Sequence, residues 1–526
     1  MAGGGAAPAG VASRSDQYHG TFTWRVVIAA FVAACGGMIF GWDIGVTGGV
    51  ETFDSWKLRF FPHLLDISPE TSIYCKYNDA LLQLFTSSLF LAGAFSALVG
   101  GWSTKKYGRR FTIVVGGIFF LIGTILQSTS YALAQLIIGR VVLGVGVGLV
   151  NQAVPMYLSE MAPFQYRGAL NVMFQLMTTI GIFVAQLVNY KMTTVAGDWN
   201  WRISVGVVGA PALVMTIGTW LLNDSPSGMV ERGLFAEAKA ELSKIRGCED
   251  VEAEYQDMVD SAMATGAVKN PWKSIAKRRY LPQLVIAVCM PAFQQLSGIN
   301  SIMFYAPQIF ETLGHGNESA LLNTVIMGAV NVGSTFVAIA FVDYFGRKAL
   351  LLEGGGQMII ALFSTGAVLG AGFNKYGAAL PDSWAAAVLF LICLFVSAFA
   401  WSWGPLAWLV PTEIQPLETR SAGMAITTSI NFLFTFFIGQ AFQSMLCGME
   451  FGVFMFFGGW VIVMSIFVAT LLPETKRVPL EEVEGLFRRH FIWGKLLDCA
   501  EVNAEYAAGH KMIMEDGALA PRPIAN

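Results

Sequence analysis

The chain alternates between long apolar runs and short polar connections. A helix needs roughly 20 apolar residues to cross a bilayer, so each run predicts one membrane-spanning helix. The pattern predicts twelve spans, six on each side of a long polar segment. The predicted spans are residues 25–50, 80–101, 112–131, 135–158, 168–190, 202–222, 281–310, 320–342, 349–372, 384–411, 422–443 and 449–472. We therefore expect an all-α membrane protein with two six-helix halves.

Lysine and arginine side chains concentrate in alternate connections, at residues 105–110, 277–279 and 347–348. Such connections face the cytosol in most membrane proteins, which predicts cytosolic termini. The predicted organisation is a cytosolic tail (1–24), a first half (25–222), a cytosolic linker (223–280), a second half (281–472) and a cytosolic tail (473–526). Within the linker, Leu234, Ala238, Leu242 and Ile245 recur at helical spacing and predict an amphipathic helix.

The two halves share loop motifs in the same order. Residues 107–110 (Tyr-Gly-Arg-Arg) match residues 345–348 (Phe-Gly-Arg-Lys). Glu160 and Arg167 follow span four at the separation that Glu413 and Arg420 show after span ten. Two ordered matches indicate duplication, as in many transporters. The alternative interpretation is that these residues only anchor helix ends among lipid headgroups.

The composition limits the chemistry that the chain can perform. Apolar residues make up 55% of the chain and charged residues 13%, with a net charge of −3, so no basic excess points to nucleic acid. The seven cysteines show no metal-ligand spacing, and we expect neither a metal nor another cofactor. No nucleophile–base pair lies in the spans, so an enzyme is not expected. All five histidines lie outside the predicted spans, which leaves carboxylates to carry any proton.

Asp43 is a carboxylate well inside the first apolar run. An aspartate within a spanning helix costs about 2.5–3.5 kcal/mol on insertion scales, so it usually faces a partner or an ion path. Span one runs outward and span four inward, which places Asp43 and Arg140 at similar depth in the outer halves. Asp43 is therefore a candidate proton-binding group with Arg140 as its partner. The alternatives are an aspartate that reaches the interface and a static ion pair.

Several longer motifs are specific when taken together. They are Gly139-Arg140 with glycines at 144, 146 and 148, residues 155–160 (Pro-Met-Tyr-Leu-Ser-Glu), residues 294–300 (Gln-Gln-Leu-Ser-Gly-Ile-Asn), residues 401–405 (Trp-Ser-Trp-Gly-Pro) and residues 473–476 (Pro-Glu-Thr-Lys). With them, residues 20–490 resemble the sugar porters of the major facilitator superfamily, most of all plant and green-algal monosaccharide–proton symporters. The resemblance implies the major facilitator fold and import of a glucose-like hexose with a proton, by alternating access.

Three positions depart from the family pattern. Lys105 stands where the first-half loop usually has an acidic residue, although Asp343 keeps the acid in the second half. Residues 223–227 read Asn-Asp-Ser-Pro-Ser where the family has Pro-Glu-Ser-Pro-Arg. Ala407 replaces a glycine that often precedes the tryptophan of span ten. The first two put the cytosolic charge network in question, and the third touches the sugar pocket.

Amides inside apolar spans suit a monosaccharide, because each supplies donors and an acceptor without a charge. The candidates are Gln175, Gln294, Gln295, Asn300 and Asn331. Gln294 and Asn300 flank Gly298, which predicts a break in span seven. Trp408 and Phe40 are the expected aromatic contacts of the sugar ring, and Ile182 is an expected apolar contact. Each amide taken singly is equally compatible with hydrogen bonding between helices; together they match the family's binding pattern.

The resemblance implies three further roles. Asp43 and Arg140 couple the proton to transport. Glu160, Arg167, Glu413 and Arg420 close the cytosolic side as salt bridges, although they could instead only set helix ends. Cys75 and Cys447 form a disulfide that ties an extracellular lid around residues 51–79 to the other half; the sequence alone leaves this pairing open.

The main alternative function is a facilitative sugar uniporter of the same fold. The carboxylate at Asp43 argues against it, because such uniporters tend to lack one there. A sugar sensor is disfavoured by the short tail of residues 473–526. The expected partners are a monosaccharide, a proton and the lipid bilayer. We expect a monomer in the plasma membrane that does not bind nucleic acid.

Overall fold

The computed structural model describes residues 23–65, 75, 77–163, 167–266, 271–312, 316–376, 380–416, 419–476 and 483–497. These residues form helices and contain no strand. Twelve helical segments are long and apolar enough to cross a membrane, which confirms the twelve predicted spans. Most observed helices extend past the predicted bounds by one turn or less, because polar residues at an interface continue a helix as readily as apolar ones.

The first half contains spans one to six. Its helices are α1 (Trp24–Thr52), α2 (Asp54–Phe60), α3 (Ala80–Tyr107), α4 (Arg109–Ser128), α5 (Leu133–Met161), α6 (Arg167–Met192), α7 (Trp199–Gly206) and α8 (Gly209–Leu221). The short helix α2 follows span one, and α7 with α8 forms span six. Helix α1 is buried along almost its whole length, so it lies at the centre of the bundle rather than against lipid.

The linker and the second half follow. The linker helices are α9 (Pro226–Glu231), α10 (Phe235–Arg246), α11 (Glu252–Gly266) and α12 (Pro271–Ser274). The later helices are α13 (Leu281–Leu296), α14 (Ile299–Thr312), α15 (Asn317–Phe345), α16 (Arg347–Tyr376), α17 (Asp382–Trp401), α18 (Trp403–Ile414), α19 (Arg420–Met449), α20 (Gly452–Leu471), α21 (Val483–Arg489) and α22 (Trp493–Leu497). In α10, Ala238, Leu242 and Ile245 are buried as the periodicity predicts, whereas Leu234 precedes the helix and is partly exposed.

Spans seven and ten are each broken near the middle of the molecule. Gly298 separates α13 from α14 with φ +84°, a conformation that glycine adopts without steric cost. A Cβ there would lie 2.6 Å from the ring of Phe457. The predicted break in span seven is therefore confirmed. Ser402 separates α17 from α18 in span ten, a break that the apolar pattern does not reveal.

Helix α5 approaches two neighbours closely through its glycines. A Cβ at Gly144 or Gly148 would lie 2.2 or 2.3 Å from a backbone oxygen of α3. A Cβ at Gly146 would lie 2.5 Å from the backbone oxygen of Gly116 on α4. The alternating glycines thus allow α5 to pack against α3 and α4 at once, as small residues do in membrane helices. This packing holds Arg140, one turn earlier on α5, at a fixed position.

The two halves meet through symmetry-related helix pairs. Helix α3 of the first half packs along α19 of the second, and α6 packs along α15. Helices α1 and α14 also meet. On the outside of the bundle, large apolar side chains such as Phe95, Ile138, Ile360 and Phe390 are exposed, as expected for a surface that faces lipid. We therefore expect a polar site in the interior, between the two halves.

Candidate functional site

Asp43 and Arg140 form a buried ion pair between α1 and α5. Their side chains are 5% and 2% exposed, and Arg140 Nη1 lies 3.1 Å from Asp43 Oδ1. Helix α1 continues for nine residues beyond Asp43, to Thr52. Asp43 is therefore inside the bundle and does not sit at a helix end.

Arg140 has partners besides Asp43. Its Nη2 donates to Thr47 Oγ1 at 2.6 Å and its Nε donates to the carbonyl oxygen of Phe85 at 3.0 Å. The guanidinium carbon also lies 4.4 Å from the centre of the Phe85 ring, within the range of a cation–π contact. The guanidinium therefore keeps three favourable contacts that do not depend on the charge of Asp43.

The second oxygen of Asp43 is different. Oδ2 is buried and has no hydrogen-bond partner among the described residues. A buried acceptor without a donor costs free energy, and a proton bound to that oxygen removes the charge that makes the cost large. Arg140 therefore binds one oxygen of Asp43, and the other oxygen is available for a proton.

A small cavity lies between the halves beside this pair. Its volume is about 40 Å³, room for about three water molecules. All eight residues proposed from the sequence for sugar binding line it: Phe40, Gln175, Ile182, Gln294, Gln295, Asn300, Asn331 and Trp408. The structure thus brings together residues from five of the twelve spans.

The amides of the second half are bonded to one another through Asn431. Asn431 Nδ2 donates to Gln294 Oε1 at 2.7 Å, and Gln295 Nε2 donates to Asn431 Oδ1 at 3.1 Å. Asn300 Nδ2 donates to Gln295 Oε1 at 2.7 Å. In contrast, Asn331 Oδ1 is buried and has no hydrogen-bond partner in the part of the chain that the structure describes. The lining is therefore a neutral amide network beside a buried acceptor that is available to a ligand.

The broken span ten completes this network. Gln294 Nε2 donates to the carbonyl oxygens of Trp403 and Gly404, each at 3.0 Å. These carbonyls belong to the first turn of α18, just after the break at Ser402. The break therefore positions both Gln294 and, one turn further on, the ring of Trp408.

Sequence analysis did not find six of the lining residues: Ile44, Thr178, Ile299, Met303, Phe399 and Asn431. Five are apolar or small and carry no signal within an apolar span. Asn431 is an amide inside span eleven, so the criterion that selected the other amides applies to it as well. Asn431 therefore belongs to the same set of buried amides as Gln294 and Gln295.

Each half carries the same charged cluster at the end of its fourth span, at Glu160 of α5 and Glu413 of α18. Arg109 Nη2 lies 2.8 Å from Glu160 Oε1, and Arg347 Nη2 lies 2.6 Å from Glu413 Oε1. Hydroxyl groups of Ser225 and Thr475 donate to the same two glutamates. Each predicted gate glutamate therefore accepts from an arginine of its own half.

A second carboxylate supports each cluster. Asp224 Oδ1 accepts from the backbone N–H of Arg110 at 3.2 Å, and Glu474 accepts from the N–H groups of Arg347 and Lys348 at 2.9 Å. Asp224 thus has the position in the first half that Glu474 has in the second. The departure at residues 223–227 keeps this carboxylate, so it does not disrupt the network.

The other predicted gate residues are arginines. Arg420 Nη2 donates to Ser159 Oγ at 2.9 Å, a contact between α19 and α5 that crosses from one half to the other. The side chain of Arg167 lies outside the described residues. Glu231 adds a carboxylate 2.7 Å from Arg109. Burial raises the pKa of Glu231, but the Arg109 guanidinium outweighs it and holds that pKa below its usual value.

Cys75 and Cys447 form a disulfide with their Cα atoms 4.6 Å apart. The predicted pairing is confirmed. It joins the segment after α2 to the end of α19, and therefore the first half to the second. Nearby, the Tyr77 hydroxyl donates to Glu311 of α14. Burial and the Glu311 carboxylate raise the pKa of Tyr77, so this hydroxyl keeps its proton.

The fold and the cavity define a polytopic membrane transporter with a polar site between two six-helix halves. The chain belongs to the family described as "Sugar (and other) transporter", whose profile matches residues 29–487. The predicted membership in the sugar porters is confirmed.

Individual relatives agree with this assignment. The chain is 51% identical over 500 residues to Sugar transport protein 7 of Arabidopsis thaliana, covering 94% of this chain and 97% of that one. It is 49% identical over 506 residues to H(+)/hexose cotransporter 2 of Parachlorella kessleri, covering 94% and 93%. Among solved structures, the major facilitator superfamily proton:xylose symporter XylE bound to 6-bromo-6-deoxy-D-glucose superposes with a TM-score of 0.75 at 27% identity, covering 89% and 100%. The predicted major facilitator fold is therefore confirmed.

Proposed function

We propose that this protein imports a monosaccharide, a glucose-like hexose, together with a proton by alternating access. The observation that carries the proposal is the buried Asp43–Arg140 pair beside a cavity lined by neutral amides. Relatives named as H(+)/hexose cotransporters support both substrates. A neutral amide network suits an uncharged sugar, and a lone buried carboxylate suits a proton.

The proton binds at Asp43 Oδ2 in this proposal. Arg140 holds only Oδ1, so Oδ2 takes the proton without displacing an existing hydrogen bond. Once Asp43 is neutral, Arg140 retains Thr47, the Phe85 carbonyl and the Phe85 ring. Protonation of Asp43 therefore weakens the contact between α1 and α5, while the buried Arg140 guanidinium keeps its other hydrogen bonds. Release on the cytosolic side restores the ion pair.

Sugar binding is linked to the proton through α1. Phe40 and Ile44, which line the cavity, lie on the same helix as Asp43, within one turn of it. A sugar that draws α1 toward the amides of the second half therefore acts on the helix that carries the proton. This arrangement lets each ligand favour the conformation that the other requires, as linkage demands.

The membrane potential supplies much of the driving force. One proton moving inward gains about 2.3 kcal/mol per 100 mV. Since each 1.4 kcal/mol is a factor of ten, this corresponds to roughly 50-fold accumulation of sugar. A uniporter with the same cavity would reach no accumulation at all.

The clusters around Glu160 and Glu413, together with Arg167 and Arg420, form the cytosolic gate in this proposal. The contact from Arg420 to Ser159 supports this role because it crosses between the halves. The moving units are residues 25–222 and 281–472. The distribution of basic residues supports cytosolic termini, and the relatives' names support a sugar carrier, which we place in the plasma membrane. The cavity is complete within one chain, which supports a functional monomer that needs no nucleic acid.

Uptake of labelled hexose into cells that lack their own sugar transporters tests the proposal. We expect uptake to be faster at acidic than at neutral external pH and to exceed the external concentration. Sugar addition should make the medium more alkaline, and an uncoupler should abolish accumulation. Uptake that equilibrates without alkalinisation and is insensitive to the uncoupler would identify a facilitative uniporter instead.

A further inference from the structure

Glu51 is a second buried carboxyl group on α1. It is 1% exposed and lies eight residues after Asp43, with Thr47 halfway between them. Residues four apart occupy the same face of a helix. Asp43, Thr47 and Glu51 therefore form a polar line that leads from the ion pair toward the outer end of α1.

The Glu51 carboxyl joins the two halves. Thr86 Oγ1 of α3, in the first half, lies 2.6 Å from Glu51 Oε1. Gln308 Nε2 of α14, in the second half, lies 2.7 Å from Glu51 Oε2. Gln443 of α19 donates to the oxygen of the Gln308 amide, which orients its NH₂ group toward Glu51. A separation of α1 from α14 would break this contact.

Both hydrogen bonds to the carboxyl come from uncharged groups. The charged and titratable groups that interact with Glu51 are Arg140 of α5, Lys57 of α2, Tyr77 and Tyr305. Asp43 lies eight residues earlier on the same helix. Arg140 is already paired with Asp43. Burying a charged carboxylate in such surroundings costs much more free energy than burying the neutral acid.

The site can hold either form of the carboxyl. Thr86 Oγ1 also lies 3.3 Å from the carbonyl oxygen of Leu82. With Glu51 charged, the Thr86 hydroxyl donates to the carboxylate. With Glu51 protonated, the acid donates to the Thr86 oxygen and the hydroxyl donates to Leu82 instead. Both forms therefore have complete hydrogen bonding around Thr86, and protonation needs no rearrangement of the helices.

We propose that Glu51 is a second proton-binding group, which takes a proton from the outer solution and thereby favours closure of the outer side against Gln308. This proposal rests on sugar transport through the central cavity. The proton binds to the Glu51 carboxylate while the outer side is open. It returns to the outer water when that side reopens, so Glu51 adds a pH dependence to closure without adding to the protons carried with the sugar.

The test uses the Asp43→Asn variant, in which coupling through Asp43 is removed. Exchange of labelled for unlabelled sugar is measured with equal pH on both sides, at about pH 5.5 and about pH 7.5. We expect exchange in Asp43→Asn to slow about threefold or more at the higher pH, because closure then buries a charge. Adding Glu51→Gln should remove this dependence and keep the faster rate at both pH values.

Two further variants make the result decisive. Glu51→Asp keeps an ionisable group and should retain the pH dependence. Glu318→Gln removes an exposed carboxylate at the start of α15 and should change nothing. If Asp43→Asn is not delivered to the membrane, Glu51→Gln and Glu51→Asp are compared in the otherwise unchanged protein under the same exchange conditions.

An unaltered pH dependence in Glu51→Gln would overturn the proposal. An equal loss of exchange at every pH would overturn it as well, because it would show that Glu51 serves only as a structural hydrogen-bond acceptor. These outcomes are separate from failure of the proposed symport, which would appear as absent accumulation and absent alkalinisation in the unmodified protein.

Discussion

The Asp43–Arg140 ion pair and the amide network are neighbours that differ in charge and in how completely their polar atoms are hydrogen-bonded. Asp43 on the first half has one satisfied oxygen and one without a partner. On the second half, Gln294, Gln295, Asn300 and Asn431 satisfy one another. The first site is poised to change its charge, whereas the second is neutral and internally paired.

The difference explains how one cavity handles two ligands. A sugar that enters exchanges amide–amide hydrogen bonds for amide–hydroxyl bonds, and each such exchange contributes only about 0.5–1.5 kcal/mol. Sugar binding is therefore readily reversible. Protonation of Asp43 instead removes a buried charge, a much larger electrostatic change. Sugar binding by the amides can thus remain weak while protonation of Asp43 remains strongly coupled to transport.

The largest expected effect comes from breaking the charged site. Asp43→Asn cannot change its charge, so we expect uphill accumulation to fall from roughly 50-fold to none, while exchange of sugar across the membrane continues. Accumulation of labelled hexose with and without an uncoupler measures this. Asp54→Asn, which removes an exposed carboxylate on α2, is the matched control and should accumulate normally. Full accumulation by Asp43→Asn would contradict the coupling role.

The next largest effect comes from breaking the neutral site. Asn431→Ala removes the hydrogen bonds that Gln294 Oε1 and Gln295 Nε2 make to Asn431, at a cost of about 1–3 kcal/mol. We expect the KM for sugar to rise about tenfold, while accumulation at saturating sugar stays intact. Gln127→Ala, a buried amide on α4 that does not line the cavity, serves as the control. A loss of accumulation with unchanged KM would show that the two sites are not separable.

A smaller effect on both sites is expected from the loss of the Cys75–Cys447 disulfide. Replacing Cys75 and Cys447 by serine removes the covalent link between the halves, which typically costs about 2–4 kcal/mol of stability. We expect a lower melting temperature of the purified protein, and modest changes in KM and in accumulation together, because neither site loses a contact. Melting curves of the unmodified protein with and without reductant should reproduce the shift. A selective loss of coupling would show that the lid acts on Asp43 alone.

The smallest effect tests the contribution of the first half to sugar recognition. Thr178 lines the cavity, but its hydroxyl already donates to the Phe174 carbonyl oxygen at 3.0 Å. We therefore expect Thr178→Val to change the KM for sugar by less than about threefold. Uptake kinetics with and without the substitution measure this. A tenfold rise would place a direct sugar contact at the Thr178 hydroxyl, and would contradict the expectation that the Phe174 carbonyl already occupies it.

Sequence reasoning reached most of the site because its signals are local. A charge or an amide inside an apolar run stands out without any tertiary information, as Asp43 and Gln294 do. Asn431 followed the same rule and was overlooked. Glu51 was missed for a different reason: the predicted span ended at Val50, so its carboxylate lay among the polar residues of an outer connection. In the structure, α1 continues to Thr52 and Glu51 is fully buried.

The sequence alone determined the twelve spans, the duplicated halves and the family, since hydrophobic length and short motifs depend only on neighbouring residues. Only the tertiary structure decided which groups share a partner. Asp43 and Arg140 are 97 residues apart, and Gln308 is 257 residues from Glu51. Such contacts depend on how helices from distant parts of the chain pack, and the free energy of a buried carboxyl group depends on every donor that this packing brings to it.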